Sequence, residues 1–581
     1  MARLSDLAVS DYPMGIEIRI WAPALDVCTL ELTDCVGDNS NRELVELVRR
    51  PDGFHSGLLP ERFENYLYQI VLPCGKRIPD PMALENIGGV HGKSIIDRSG
   101  AARRCNDNWT GTPIDEAIIY ELHVGTFTPE GTFCAAARQL SSLSQIGITV
   151  IQLMPVWLTP GARSWGYDPV SFFTLNGAYG SIEELKSFID DAHRHGISVT
   201  LDCVYNHLGP EGSYFPVLAP SILCEENRTP WGPGLNLTGS DSAIVQGLIF
   251  ESLVYWIDHI GFDGVRIDAG EHLRPDGKTK FLKDIASVVR HACRHQNPIV
   301  ILEHDLDRLN ENDVSELLSE DGFQRVWGRS AIPANDHGDD FSLLSGIVST
   351  LAEQSNFYHG NGCSDYKLLN YLRSHDTIGN SGLAKRNDRL NLEVLEAAQQ
   401  FLLLAPTTPM LFMGDECLAD EPFHYFCDLV DIAPEDIVKA RSLEFPEVAF
   451  DVPEPHTGEA FLQSKLDWNI DRGDKADANT KRVQAALEFR ENYVVPLLAK
   501  KVSYIDVQHS ADALSITASW VFSEQDRYSI SVSAVDSSNK IQSYEYSSRF
   551  GVFLRNLTSR GQYAIDVSAP SCSKLKLVEG A

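Results

Sequence analysis

AIVQGLIFESLVYWIDHIG (residues 243–261), FDGVRIDA (262–269), KFLKDIASVVRHACRHQ (280–296) and PIVILEHD (298–305) follow one another near the middle of the chain. The first and third are long, with apolar residues recurring at helical spacing. The second and fourth are short apolar runs of strand length. The same alternation occurs upstream in TVIQLMPV (149–156), SIEELKSFIDDAHRHG (181–196) and ISVTLDCVYNH (197–207). Downstream, FLLLAPTTPMLFM (401–413) reads as a buried helix end followed by a strand, because Pro406 and Pro409 break it and it is too short to span a bilayer. Repeated β-α alternation over nearly 400 residues predicts parallel strands with crossover helices, an α/β chain built on a (β/α)₈ barrel.

The flanks read differently. GIEIRIWAP (15–23) and CTLELT (28–33) alternate with turn residues, as do SYIDVQHS (503–510), LSITASWVF (514–522) and YSISVSAV (528–535). The expected organisation is an N-terminal β-sandwich over 1–100, a catalytic barrel over 101–501 and a C-terminal β-sandwich over 502–581. Acidic residues outnumber basic ones by 81 to 49, giving a formal net charge of −32. Such a field repels phosphate backbones and anionic lipid surfaces, so neither nucleic acid nor membrane is an expected partner, whereas a neutral sugar is not penalised. The N-terminal residues show no basic region followed by an apolar one, and the twelve cysteines form no C-x-x-C pair. Cytoplasmic location and reduced thiols are the expectation. Oligomeric state is not legible.

Where the acids fall on these strands suggests chemistry. Residues i and i+2 of a strand share a face, so Arg266 and Asp268 project together, and Ile299, Ile301 and Glu303 do likewise. Asp202 rides on a third strand with Asn206 and His207 just past it, and KLLNYLRSHDTIGN (367–380) ends a fourth with His375 and Asp376. Strand ends converge on one face of a barrel, where catalysis sits in this architecture. Strand-end acids often merely cap the following helix, but four together, two beside histidines, favour a site. Breaking a glycosidic bond needs one carboxylate at the oxocarbenium-like centre and a second, protonated one at the leaving oxygen. Burial and charge repulsion can split their pKa values, and Arg266 would keep Asp268 ionised.

LDCVYNH, GVRIDAGEH, ILEHD and SHDTIGN resemble the four conserved regions of the α-amylase family of glycoside hydrolases, in the family's order; SWGYDPVSFF and PMLFMGDE are similar to two further family segments. The resemblance covers essentially the whole chain. It implies Asp268 as nucleophile, Glu303 as general acid/base and Asp376 as a third, substrate-distorting carboxylate. It also implies Asp202, His207, Arg266 and His375 as ligands of the −1 sugar, with Tyr167 stacking beneath it. IYELHVGTFTPEGTF, VYNHLGPEGSYF, EPFHYFCD, ARSLEF and FLQSKLDW resemble the branch of the family that releases trehalose from maltooligosyltrehalose. Two segments depart from that branch: Trp327 is followed by GRSAIPANDHGDDF, and Ser374 and Thr377 stand where amide side chains are usual.

Other features have blander readings. Trp157, Trp165, Tyr167, Tyr205 and Tyr214 could stack on sugars, and of these Tyr167, inside a motif, is the expected one. His291 and His295 are expected on a solvated helix face, NDHGDD (335–340) as an acidic loop, and DLDRLNEND (305–313) lacks the glycine of a calcium loop. Neither a metal nor a cofactor is expected. Three readings compete: a retaining hydrolase releasing trehalose, a branching or debranching enzyme acting at α-1,6 points, and a silent carbohydrate-binding protein on the same fold. No phosphate-cradling glycine loop supports a nucleotide-using enzyme.

Overall fold

In the computed structural model, the residues described are 9–12, 15–34, 42–63, 66–96, 108–305, 308–319, 321–328, 340–353, 368–381, 383–386, 391–446, 451–470, 472–500, 502–510, 514–523, 526–534, 544–548, 551–557 and 563–569. Eight parallel strands close a barrel: β1 (Ile119–Leu122), β2 (Val150–Leu153), β3 (Ser198–Cys203), β4 (Gly264–Ile267), β5 (Ile299–Leu302), β6 (Arg325–Trp327), β7 (Leu368–Tyr371) and β8 (Thr408–Phe412). Closure joins β1 to β8, with Ile119 opposite Met410. Each strand is buried along its length, as expected of parallel strands enclosed by helices.

The crossover helices carry the signals that the sequence displays. Helix Ile182–Arg194 opens on a reciprocal cap between Ser181 and Glu184 and buries Leu185, Phe188, Ile189 and Ala192. That spacing makes one apolar stripe against the barrel. The segment 401–413 is the end of helix Leu392–Leu404 followed by β8.

Inside the barrel, the period of two sorts the residues. Ile119, Val150, Ile299, Ile301, Trp327, Leu369, Tyr371 and Met410 form an apolar plug. The next inward positions toward the C-terminal ends are polar, and Glu121, Asp202 and Arg266 are fully buried there. Arg266 stands opposite Asp202 across β3 and β4, and opposite Ile301 across β4 and β5.

Among the described residues, the N-terminal strands form one nine-stranded antiparallel sheet that folds over on itself at Arg42–Arg49. Its two halves enclose Ile16, Ile18, Ile20, Leu30, Leu32, Tyr68 and Ile70. The C-terminal strands make a six-stranded antiparallel sheet among the described residues. Its apolar face, with Trp520 and Tyr528, joins the main core against helix Leu392–Leu404, so barrel helices supply the second layer. No helix among the described residues is long and apolar enough to cross a membrane.

Candidate active site

The loops at the C-terminal ends of the strands surround a cavity of about 470 Å³, lined by Tyr167, His207, Asp268, Glu303, His375 and Asp376 among others. Its size lies in the range of small-molecule sites. Asp268 and Glu303 each stand one residue past their strands, on β4 and β5 respectively.

One guanidinium ties the two acids together. Arg266 Nη1 lies 3.1 Å from Asp268 Oδ1, and Nη2 lies 2.8 Å from Glu303 Oε2. Arg266 Nη1 also pairs with Asp202 Oδ2, and the guanidinium rests 4.0 Å over the Trp327 ring. Tyr167 donates its hydroxyl to Asp202 Oδ2 at 2.7 Å. Asn206 donates to Asp268 Oδ2 at 2.6 Å, and the Ala269 N–H donates to Glu303 Oε2 at 3.0 Å. Ala269, directly after Asp268, adopts the left-handed conformation, with φ 42°.

His375 and Asp376 are not on β7 itself. They open the short helix His375–Gly379, which is capped by Ser374 and Thr377: Ser374 N donates to Thr377 Oγ1 at 2.8 Å, and Thr377 N to Ser374 Oγ at 3.4 Å. Ser374 and Thr377, which stand where amide side chains are usual in that branch, are therefore a matched helix cap. His375 is held from below by Glu121, whose two oxygens take the His375 N–H at 3.0 Å and Nδ1 at 2.8 Å. Tyr167 stacks on the His375 ring with centroids 5.0 Å apart. Asp376 is half exposed, and Asn380 donates to its Oδ1 at 3.1 Å.

Burial, reinforced by the charges of Asp268 and Asp376 and only partly offset by Arg266, pushes Glu303 up to about 8. Burial also raises Asp268, to about 6, opposed by the charge of Arg266 and by the hydrogen bond from Asn206. Between those values one acid is ionised and the other protonated. Burial works against a charge on His375, but Glu121 and Asp376 outweigh it and hold the imidazolium up to about 9. Burial brings His207 down to about 4, leaving it neutral.

The eight residues expected from sequence gather in one place, but not all in one role. Asp202 and Arg266 are wholly buried beneath the cavity and do not line it: Arg266 contacts Asp268 and Glu303, and Asp202 contacts Arg266 and Tyr167. Among the aromatic candidates, Trp165 and Tyr167 line the cavity, Trp157 and Tyr205 are core, and Tyr214 packs against the N-terminal sheet. His295 is not on a solvated helix face: helix Lys280–Ala292 ends before it, and the ring is half buried 2.8 Å from Asp263. Segment 305–313 contains the Asn310 cap of helix Glu311–Leu317, and 335–339 of the acidic segment lies outside the described residues.

Sequence reading missed Glu121, although Ile119 and Glu121 of an apolar strand share a face. It also missed Trp231, at the tip of the hairpin Leu223–Leu235, which stacks 5.2 Å from His207 and donates to Glu444 at 3.2 Å. Arg441 and Glu444, on helix Pro434–Glu444, complete that wall. Their order along the chain carries no hint of this meeting.

The family profile described as alpha amylase, catalytic domain, matches residues 60–227. A malto-oligosyltrehalose trehalohydrolase of Saccharolobus solfataricus is 31% identical over 478 residues, covering 78% of this chain and 82% of its own. The enzyme of that name from Mycobacterium tuberculosis is 31% identical over 492 residues, with the same coverage of 78% and 82%. Among solved structures, a candidate alpha amylase of Salmonella typhimurium superposes with a TM-score of 0.80 at 27% identity, over 97% of this chain and 99% of that one.

Proposed function

This chain belongs to the malto-oligosyltrehalose trehalohydrolases within the α-amylase family of glycoside hydrolases, and on that premise we propose that it hydrolyses the α-1,4 bond next to the terminal trehalose unit of maltooligosyltrehalose, with retention, using Asp268, Glu303 and Asp376. The observation that carries the reading is the pair of unequal acids on adjacent strands, bridged by Arg266 in one cavity.

Asp268, ionised and oriented by Asn206 and Arg266, attacks the anomeric carbon of the glucose in the −1 subsite. Glu303, protonated, donates to the departing oxygen, and trehalose leaves with that proton. Glu303, now a carboxylate, takes a proton from water as the water's oxygen displaces Asp268, releasing the glucan with its α configuration. Asp376, open to the cavity and steadied by Asn380, binds hydroxyls of the distorted sugar. Charged His375 and neutral Tyr167 and His207 shape the same subsite, while buried Arg266, paired with Asp202, holds the reacting acids. The described cysteines are all unpaired, which supports a reducing compartment such as the cytoplasm.

Identification of the product from a defined maltooligosyltrehalose tests the substrate assignment. Free trehalose is expected, with the glucan product initially α as followed by proton NMR. Release of linear maltooligosaccharides from branched glucan, with no trehalose formed, would instead support the α-1,6 reading. An inert wild-type protein that still binds glucan would support the silent one.

A further inference from the structure

Outside the cleft, three distant stretches of chain meet where the N-terminal sheet touches the barrel. His91 ends the helical turn Gly89–His91, Glu211 lies on the loop after β3, and Asp431 lies just before helix Pro434–Glu444. One ligand-capable atom of each lies within 4.8 Å of the other two, and His91 Nε2 is 3.7 Å from Asp431 Oδ2. Bonds of zinc length put neighbouring tetrahedral ligand atoms roughly 3.3–3.4 Å apart, so the His91–Asp431 pair is already near that spacing and the other separations close by side-chain rotation of the order of an ångström.

The trio is oriented from behind. Nδ1 of His91 is 2.7 Å from the Tyr214 hydroxyl, which turns Nε2 toward the acids, as the second nitrogen of a metal-binding imidazole is commonly held. Glu211 is only 5% exposed, yet no Lys or Arg pairs with it among the described residues. Its Oε2 accepts the N–H groups of Val430 and Asp431 at 2.8 and 2.9 Å, and its other oxygen makes no hydrogen bond among the described residues. A buried carboxylate left without a cation is costly. Close approach is built in, since Gly212 has φ 81° and a Cβ there would lie 2.5 Å from Val90.

One imidazole nitrogen and two carboxylate oxygens suit a borderline transition ion with water in the fourth position; calcium would demand more oxygen ligands. We propose that His91, Glu211 and Asp431 bind Zn²⁺ and so clasp the N-terminal sheet to the barrel at the root of the helix that carries Arg441 and Glu444 into the cleft. Spacing along the chain conceals such a site, because its ligands are more than a hundred residues apart.

The test is calorimetric titration of the full chain, stripped with a chelator, with Zn²⁺, alongside His91→Ala and Asp431→Asn. Both residues are exposed, so neither change should unfold the protein. One saturable site is expected in the wild type, weakened at least tenfold in each variant, with a Zn²⁺-dependent rise in Tm confined to the wild type. Substituting Co²⁺ should give a visible absorption band in the wild type that His91→Ala abolishes. Absence of saturable binding, or the same isotherm and Tm rise in all three proteins, would overturn the proposal.

Discussion

At the scale of single residues, the site is built on burial opposed by one arginine. Arg266 makes contact with Asp202, Asp268 and Glu303 at once. Burial penalises every charge there and the cation opposes it at both acids, with Asn206 also favouring the ionised form of Asp268, so Asp268 sits near 6 and Glu303 near 8. The reactive form in the proposed mechanism has Asp268 ionised and Glu303 protonated. A plot of kcat/KM against pH should therefore be bell-shaped, falling below about 6 as Asp268 gains a proton and above about 8 as Glu303 loses one. Because the acids interact, the limbs belong to the pair. A profile flat from pH 5 to 9, values on the order of a unit outside these limbs, would contradict the assignment. Glu121 acts one step removed, through His375. Glu121→Gln should weaken the hold on the imidazolium, lower the pH at which His375 loses its charge, and reduce kcat by roughly 10²-fold through misplacement of the ring. An NMR titration of the His375 ring separates this from a general loss of fold, which would leave no defined titration at all.

At the scale of elements, the short helix His375–Gly379 is the part most dependent on local chemistry. Five residues cannot sustain a helix by propensity. The reciprocal Ser374–Thr377 cap supplies the missing hydrogen bonds and aims Asp376 into the cavity. Ser374→Ala should cost about 1 kcal/mol in urea unfolding and also lower kcat, because the first turn that carries Asp376 loosens. Adding Thr377→Ala should cost less than the sum of the two single changes, since both serve one cap. Strict additivity would mean that the residues act separately. The cap also explains how the chain departs from its family's amide pattern without losing the element: two hydroxyls that bond each other's N–H groups are a complete solution by themselves.

At the scale of the whole molecule, the barrel is braced by sheets at both ends of the chain. Trp520 of the C-terminal sheet is fully buried, its ring 6.2 Å from that of Phe401, and Tyr528 donates to the Leu404 carbonyl at 2.7 Å. Helix Leu392–Leu404 leads directly into β8, so this contact supports the barrel's closing strand. Trp520→Ala should cost about 3–5 kcal/mol, measured by urea denaturation, with kcat in the surviving folded fraction little changed. A cost below about 1 kcal/mol, the level of an exposed position, would show the sheet to be an independent appendage.

The alternation of strand and helix, the strand-end carboxylates and the inward pairing of Arg266 with Asp268 were all legible in the sequence, because periods of 2.0 and 3.6 residues are local properties of the backbone. So was the gathering of those acids at one end, given a barrel. What tertiary structure alone decided depends on distance through space and on exclusion of water. It placed Asp202 and Arg266 wholly buried beneath the cavity, brought Glu121 against His375 across 254 residues, and set Trp231 on His207. It also separated two carboxylates of nearly equal intrinsic acidity, since an acid's ionisation follows its burial and its neighbours' charges, neither of which is written in the order of residues.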